Sequence, residues 1–395
     1  MRDEMKKVPR LRFRGFQEDW ELCKLKEITE RVKGNDGRMD LPTLTISAGQ
    51  GWLNQKDRFS GNIAGKEQKN YTLLLKNELS YNHGNSKLAK YGAVFSLKTY
   101  EEALVPRVYH SFKSTKNSDP DFLEYIFATK KPDKELGKLV SSGARMDGLL
   151  NINYDDFSNI KINIPHIHEQ KKISNLLRKI DNTITLHQRK LEQLKELKKA
   201  YLQVMFPVKD EGVPKLRFAD FEEEWEQCKL EDLANKYNNL RIPITASKRI
   251  YGNTPYYGAN GIQDFVEGYT HDGEFILVAE DGASNLKDYP VQYVNGKVWV
   301  NNHAHVLQAK RSKADNKFLM NAIKSINIEP FLVGGGRSKL NSEVMMNLEI
   351  NTPSKDEQLK ISTLCKQLDD ITALYQNKLN QLKNLKKSYL QNMFI

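Results

Sequence analysis

The side chains best suited to meet a ligand sit on loops in two parts of the chain. The stretch Tyr81-Asn-His-Gly-Asn-Ser-Lys87, with Lys90 and Tyr91 behind it, sets Tyr81, Asn82, His83, Asn85 and Lys87 around a glycine. Asn bonds adenine through two atoms, Lys and Arg take guanine or phosphate, and glycine lets backbone N–H groups come close to a phosphate. Ser141-Ser-Gly-Ala-Arg145 offers a phosphate clasp through Ser142 and Arg145. Further on, Pro255-Tyr-Tyr-Gly-Ala-Asn-Gly261 presents Tyr256, Tyr257 and Asn260, Ala279-Glu-Asp-Gly-Ala283 presents Asp281, and Trp299-Val-Asn-Asn-His-Ala-His305 presents Asn302, His303 and His305. Val333-Gly-Gly-Gly-Arg-Ser-Lys339 is a glycine turn carrying Arg337 and Lys339. These types point to contacts with the bases and phosphates of a nucleic acid, against the plainer reading of solvated turns.

Metal and covalent chemistry find less support. His303 and His305 would share one face of a strand, but no third ligand stands near them in sequence, so no metal is expected. No Walker A loop and no dinucleotide fingerprint is present. The Asn/Asp-Pro-Pro-Tyr/Phe tetrapeptide of an adenine methyltransferase is also missing, since Asp119-Pro120 is followed by Asp121. Neither a helicase signature nor a nuclease-like acidic cluster is found. No catalytic residue is therefore expected, and binding is the expected role.

What positions these loops is a duplication. Residues Val8 to Leu25 recur as Val213 to Leu230 with 12 of 18 positions identical, including Pro-x-Leu-Arg-Phe-x-x-Phe-x-x-x-Trp. Residues 165–206 recur as 353–394 without a gap, sharing Pro-x-x-x-Glu-Gln-x-x-Ile at the start and Leu-Lys-Lys-x-Tyr-Leu-Gln-x-Met-Phe at the end. The contents between these shared ends are unlike. The expected plan is a first module at 1–163, a long helix at 164–206, a second module at 207–352 and a second long helix at 353–395.

The repeated helices carry a narrow apolar seam in steps of three and four: Ile173, Leu177, Ile180, Ile184, His187, Leu191, Leu194, Leu197 and Tyr201, matched by Ile361, Cys365, Leu368, Thr372, Tyr375, Leu379, Leu382, Leu385 and Tyr389. Neither helix can bury such a seam alone, so each is the expected partner of the other. Pro165 and Pro353 mark their starts, and Ser354-Lys-Asp-Glu357 has the form of a capping box. Short apolar runs at 71–75, 93–97, 274–278, 291–294 and 297–300 read as strands, and 120–129 and 316–324 as helices. The fold class is mixed α/β (α+β): two globular modules separated by a pair of long helices in an antiparallel coiled coil.

Composition agrees with an anionic partner. The 395 residues carry 61 Lys+Arg against 50 Asp+Glu, a formal charge of +11. No run approaches the roughly 18 apolar residues of a membrane span. With three scattered cysteines and no leader-like apolar run, a cytoplasmic protein is expected.

With its doubled motifs, the chain resembles the specificity subunit of type I restriction–modification systems over nearly its whole length. Tyr257-Gly-Ala-Asn-Gly261 and Trp299-Val-Asn-Asn-His303 are similar to that family's target recognition domains. The resemblance implies two domains that each read half of a bipartite site in double-stranded DNA, with the helices as an antiparallel spacer. It also implies two methyltransferase subunits docked on that frame and restriction subunits joined through the complex. Catalysis, with S-adenosylmethionine, ATP and magnesium, would rest on those partners. A coiled-coil scaffold with protein-binding modules is the alternative from another class.

Charge by segment refines this. The first long helix is about +5 and the second about +3, while residues 207–350 hold 17 Lys+Arg against 20 Asp+Glu. Most of the surplus is thus expected on the helical frame, with few but specific contacts made by the loops.

Overall fold

The computed structural model describes residues 8–59, 65–140, 149–208, 211–335 and 338–395. Two compact units divide it, one of residues 1–187 with 378–395 and the other of residues 188–377. Four helices build the frame and its joints: α1 (Pro120–Ala128), α2 (Ile167–Val204), α3 (Asn316–Ser325) and α4 (Lys355–Asn392). The helices α2 and α4 have 38 residues each, about 57 Å at 1.5 Å per residue.

In the first unit the early turns of α2 pack against the last turns of α4. Ile173 and Leu177 are buried in one cluster with Met393 and Phe394, with Tyr389 and Leu390 packed on it. Asp181 Oδ1 lies 2.6 Å from Lys386 Nζ, so α2 advances as α4 retreats. The second unit repeats this: Met205 and Phe206 share a core with Ile361 and Cys365, and Lys198 Nζ meets Asp369 Oδ1 at 2.5 Å. The pairing is antiparallel in each unit. Leu191, Leu194, Leu368 and Leu379 are also buried, and Ile184, His187, Tyr201, Tyr375, Leu382 and Tyr389 are half-buried. One step of the seam differs from the expectation. Leu197 and Leu385 are 42% and 41% exposed, because the heptad step runs through Lys198 and Lys386. Those two lysines, equivalent in the repeat, reach the equivalent aspartates Asp369 and Asp181.

The repeated motifs explain themselves as a clamp, built once per unit. Arg12 donates from Nε and Nη2 to the two oxygens of Glu169, both at 2.8 Å, and Arg217 does the same to Glu357 at 2.8 Å. Glu357 therefore serves this fork rather than a capping box. The next residue, Gln170, donates to Pro165 O and Asn117 O and accepts from Asp119 N–H. Gln358 does likewise with Pro353 O, Lys313 O and Asp315 N–H. Asp119 and Asp315 in turn cap α1 and α3, accepting from Phe122 N–H and Phe318 N–H at 2.9 Å. Each module helix is thus hung on a long helix through one buried glutamine. Aromatic rings close the joint: Trp20, Phe122 and Phe394 pack together in the first unit, and Trp225, Phe318 and Phe206 in the second.

Beyond this frame the modules diverge. The first holds a four-stranded antiparallel sheet in the order Thr29–Val32, His110–Ser114, Leu79–Asn82, Ala93–Ser96, with three further strand pairs among the described residues. The second holds six strands in the order Ala234–Lys236, Ala304–Ala309, His271–Ala279, Val291–Val300, Tyr251–Gly258, Gly261–Val266. The two runs expected at 291–294 and 297–300 are one strand. Asn295-Gly296 reads locally as a turn, but Gly296, at φ +90°, pairs with Gly273, at φ +136°, in mid-ladder.

Because Glu169 and Glu357 are each 1% exposed, removing their charge should be costly. Glu169→Gln should lower the stability of the first unit, and Glu357→Gln that of the second, each by about 2 kcal/mol. Denaturant unfolding with a probe in each module would check this, and an unchanged midpoint would show that the fork contributes nothing.

Candidate nucleic-acid interface

In the second module four sequence-distant loops converge. The strand Tyr251–Gly258 turns at Ala259-Asn260 into Gly261–Val266, with Gly261 at φ +111°. Asn260 Nδ2 donates to Gly282 O at 2.9 Å, and its Oδ1 accepts from Ser284 N–H at 2.8 Å. The exposed Asn260 therefore staples this turn to the 280–284 loop, and both ends of its amide are already engaged. Asp281 Oδ1 lies 2.6 Å from His303 Nδ1, and Asn301 Oδ1 accepts from His303 N–H. Lys339 pairs with Asp281 in a backbone bridge and sends Nζ to Glu280 Oε1 at 2.9 Å. Asn302 is exposed, and Tyr257 is half-buried.

Glu280 is the hub under these loops. Arg241 Nη1 donates to its Oε2 at 2.6 Å and to the carbonyls of Ala304 and Asn302. Burial pushes the Glu280 carboxyl up, but donors from Arg241 and Lys339 outweigh it and hold it below the usual range. Sequence reading missed Arg241 and Glu280. Arg241 belongs to no motif, and Glu280 and Ala304 stand 39 and 63 positions away from it.

Two of the expected contact residues in this module are core residues instead. Tyr256 is 1% exposed and receives Ile244 N–H on its hydroxyl. His305 is 0% exposed; its Nε2 faces Leu340 O at 2.8 Å, and Asn238 Nδ2 lies 2.9 Å from its Nδ1. Burial lowers its pKa, so the neutral ring donates through Nε2 and accepts through Nδ1. With both nitrogens committed it shares no ligand with His303. Among the described residues no group of three His, Cys, Asp or Glu could hold a metal.

The first module builds a comparable rim. After Leu79–Asn82 the chain passes through Asn85, Lys87 and Lys90, all exposed, and is pinned by buried Ala89. Lys90 Nζ lies 5.2 Å over the half-buried ring of Tyr91. Gly92, at φ +86°, must be glycine, since a Cβ there would come within 2.4 Å of Asn82 O. Tyr81 and His83 depart from expectation. Tyr81 is 0% exposed, stacks on Phe157 at 4.4 Å and donates to Tyr91 O. His83 is buried, with its ring nitrogens on Leu150 O and Val108 O. Asn82 is half-buried and accepts from Gly84 N–H. Tyr81 and His83 hold the loop from beneath, since alternate residues face the core, while Asn82 on the other face braces the turn at Gly84.

Ser142, Arg145 and Arg337 lie outside the described residues. The residues after each of those segments do return beside the other loops. Leu150 N–H donates to His83 O, and Leu340 N–H donates to Glu280 O.

The modules also differ in charge. Residues 1–163 carry 28 Lys+Arg against 22 Asp+Glu, a surplus of 6, so the frame shares the excess charge with the first module and the second module alone is slightly acidic.

Comparison with known proteins places this architecture. The family described as "Type I restriction modification DNA specificity domain" matches residues 17–196 and 222–384. A Haemophilus influenzae type I restriction enzyme specificity subunit is 46% identical over 153 residues, covering 39% of this chain and 38% of that relative. The MjaX specificity subunit of Methanocaldococcus jannaschii is 23% identical over 94% of this chain and 92% of its own. Among solved structures, the S subunit from M. genitalium superposes with a TM-score of 0.69 at 14% identity, covering 98% and 99% of the two chains. A chain from a study of type I system assembly gives 0.51 at 12% identity, covering 95% and 97%.

A pH dependence arises from the first module's core. Burial holds His110 down to about 4 from 6.5. Between those values the ring is neutral when folded and charged when unfolded, so the unfolded chain binds more protons and stability rises with pH. The His110 contribution should be fully present above about pH 6.5 and lost as pH falls toward 4. Denaturant titrations across that range should show a shallower decline in His110→Phe, and an unchanged decline would place its source elsewhere.

Proposed function

The chain belongs to the family of type I restriction–modification DNA specificity proteins, and from that premise we propose that its two unlike modules read the two unlike halves of a bipartite duplex site. Its role as a DNA-recognition subunit with two target recognition domains comes with the family. One observation carries the finer reading. The frame is repeated contact for contact, through Arg12–Glu169 and Arg217–Glu357, Asp181–Lys386 and Asp369–Lys198, while the modules hung on it differ in sheet and in rim. Like mounts with unlike readers suit a target whose halves differ, with the length of α2 and α4 setting the unread gap.

On this reading the subunit itself catalyses nothing. Two methyltransferase subunits dock on the helical frame, restriction subunits join through the complex, and S-adenosylmethionine, ATP and magnesium act on those partners in the cytoplasm. The contact residues in the second module are Tyr257, Asn302, His303 and Lys339 at the rim, with Asn260 and Asp281 shaping it. In the first they are Asn85, Lys87, Lys90 and Tyr91, joined by Ser142 and Arg145, with Arg337 completing the second.

Phosphate neutralisation falls to the basic first module and the frame, because the second module has little net cation to offer. Alone, the chain should hold duplex DNA weakly and with a steep salt dependence. Tight site-specific binding by the isolated chain at moderate salt would contradict this, and no retention at any salt would favour a protein-binding scaffold.

Deleting one matched heptad from each of α2 and α4 shortens the frame by about 10 Å. The gap between half-sites should shrink by about three base pairs, with both half-sites kept. Mapping methylated adenines in hosts carrying the variant would read this out, and an unchanged gap would sink the spacer role.

A further inference from the structure

Each module helix meets the long helices at equivalent positions, but the charges are reversed between the units. In the first unit Asp121 and Glu124 of α1 answer Arg178 of α2, with Arg178 Nη2 3.6 Å from Glu124 Oε2 and closer to Asp121. Beside them Tyr125 donates its hydroxyl to Asp181 Oδ2 at 2.7 Å. The caps Asp119 and Asp315 and the rings Phe122 and Phe318 set the correspondence with the second unit. There Lys317 stands for Asp121, Met320 for Glu124, Asn321 for Tyr125 and Lys324 for Ala128, while Lys366 of α4 stands for Arg178. Of the two carboxylates that neutralise Arg178, one is thus replaced by a lysine and the other by a methionine, and a second lysine stands where the first unit has an alanine.

Where the first unit has a tyrosine ring, the second has a cavity of about 590 Å3, lined among others by Lys198, Tyr293, Lys317, Asn321, Lys324 and Lys366. Two of its four lysines are matched: Lys198 by Asp369 and Lys366 by Asp370, each at 2.5 Å. Lys317 and Lys324 form no salt bridge among the described residues, and the Lys317 amine lies 5.1 Å over the Tyr293 ring. Burial, with Lys198 nearby, lowers the pKa of Lys324 against the opposing pull of Asp369 and Asp288. Asn321 is 1% exposed and donates from Nδ2 to Lys317 O, yet its buried Oδ1 has no partner among the described residues. That oxygen meets no open space, so Asn321 serves the cavity by its small size, leaving room where Tyr125 fills the first unit.

We propose that this cavity binds a small phosphoryl-bearing anion, whose oxygens are taken by Lys317 and Lys324. Lysine amines suit phosphate as point charges. The volume falls in the range of about 300 to 1,000 Å3 usual for small-ligand sites. The site does not depend on the DNA-reading rims, so its failure would leave that reading untouched.

Calorimetric titration of the full chain with inorganic phosphate, pyrophosphate and nucleoside 5′-monophosphates tests it. Binding of the nucleotides but not of the inorganic ions would identify a nucleotide site, and equal binding of all an oxyanion site; either supports the proposal. Asn321→Tyr and Lys324→Ala install the residues the first unit already tolerates, and each should weaken binding about tenfold or more. Lys195→Ala, at an exposed helix position outside the cavity, should leave the affinity for these small anions unchanged. Absence of binding by every probe would overturn the proposal. So would wild-type affinity in both folded cavity variants, or loss confined to duplex DNA retention.

Discussion

A glutamate buried at the start of each long helix is held by an arginine fork. Arg12 on Glu169 and Arg217 on Glu357 do more than pair charges, since the arginine belongs to the segment that opens a module and the glutamate to a long helix. Gln170 and Gln358, one residue on, hold the cap of the module helix. Leaving either carboxylate buried without its fork would cost several kcal/mol, so the arrangement also specifies which surfaces meet. Everything that distinguishes the two units is suspended from this shared joint. The likeness reaches even an apparent defect: the indole N–H groups of Trp20 and Trp225 are both buried without a partner among the described residues.

Against this constancy, the contents vary freely. One module is basic with a four-stranded sheet, the other slightly acidic with a six-stranded one. Both nevertheless bring the residues that follow a glycine-and-arginine segment back beside the loop leaving a central strand, at His83 in one and Glu280 in the other. That common placement lets different side chains be offered from the same position on the mount.

The frame was legible because it is written twice. Periodicity placed the helices and the seam, and the equal spacing of the repeats implied their mutual burial. It misjudged Leu197 and Leu385 because an apolar residue beside a lysine looks like the seam, whereas Lys198 and Lys386 gain an aspartate only across the helix pair. The site was legible as loops but less so as residues. Tyr81, His83, Tyr256 and His305 have the chemistry of contact residues, yet their places on or beside buried strands put them in the core, where backbone carbonyls and Asn238 satisfy the histidines. Arg241 and Glu280 were invisible because their importance arises from pairing across the fold.

If one duplicated frame presents two different readers at a fixed separation, sequencing of methylated adenines in a host that carries this chain with its partner subunits measures it directly. A single motif of two unlike half-sites, separated by a gap of constant length, is the predicted result. A continuous motif, two identical halves, or a gap that varies from site to site would contradict it.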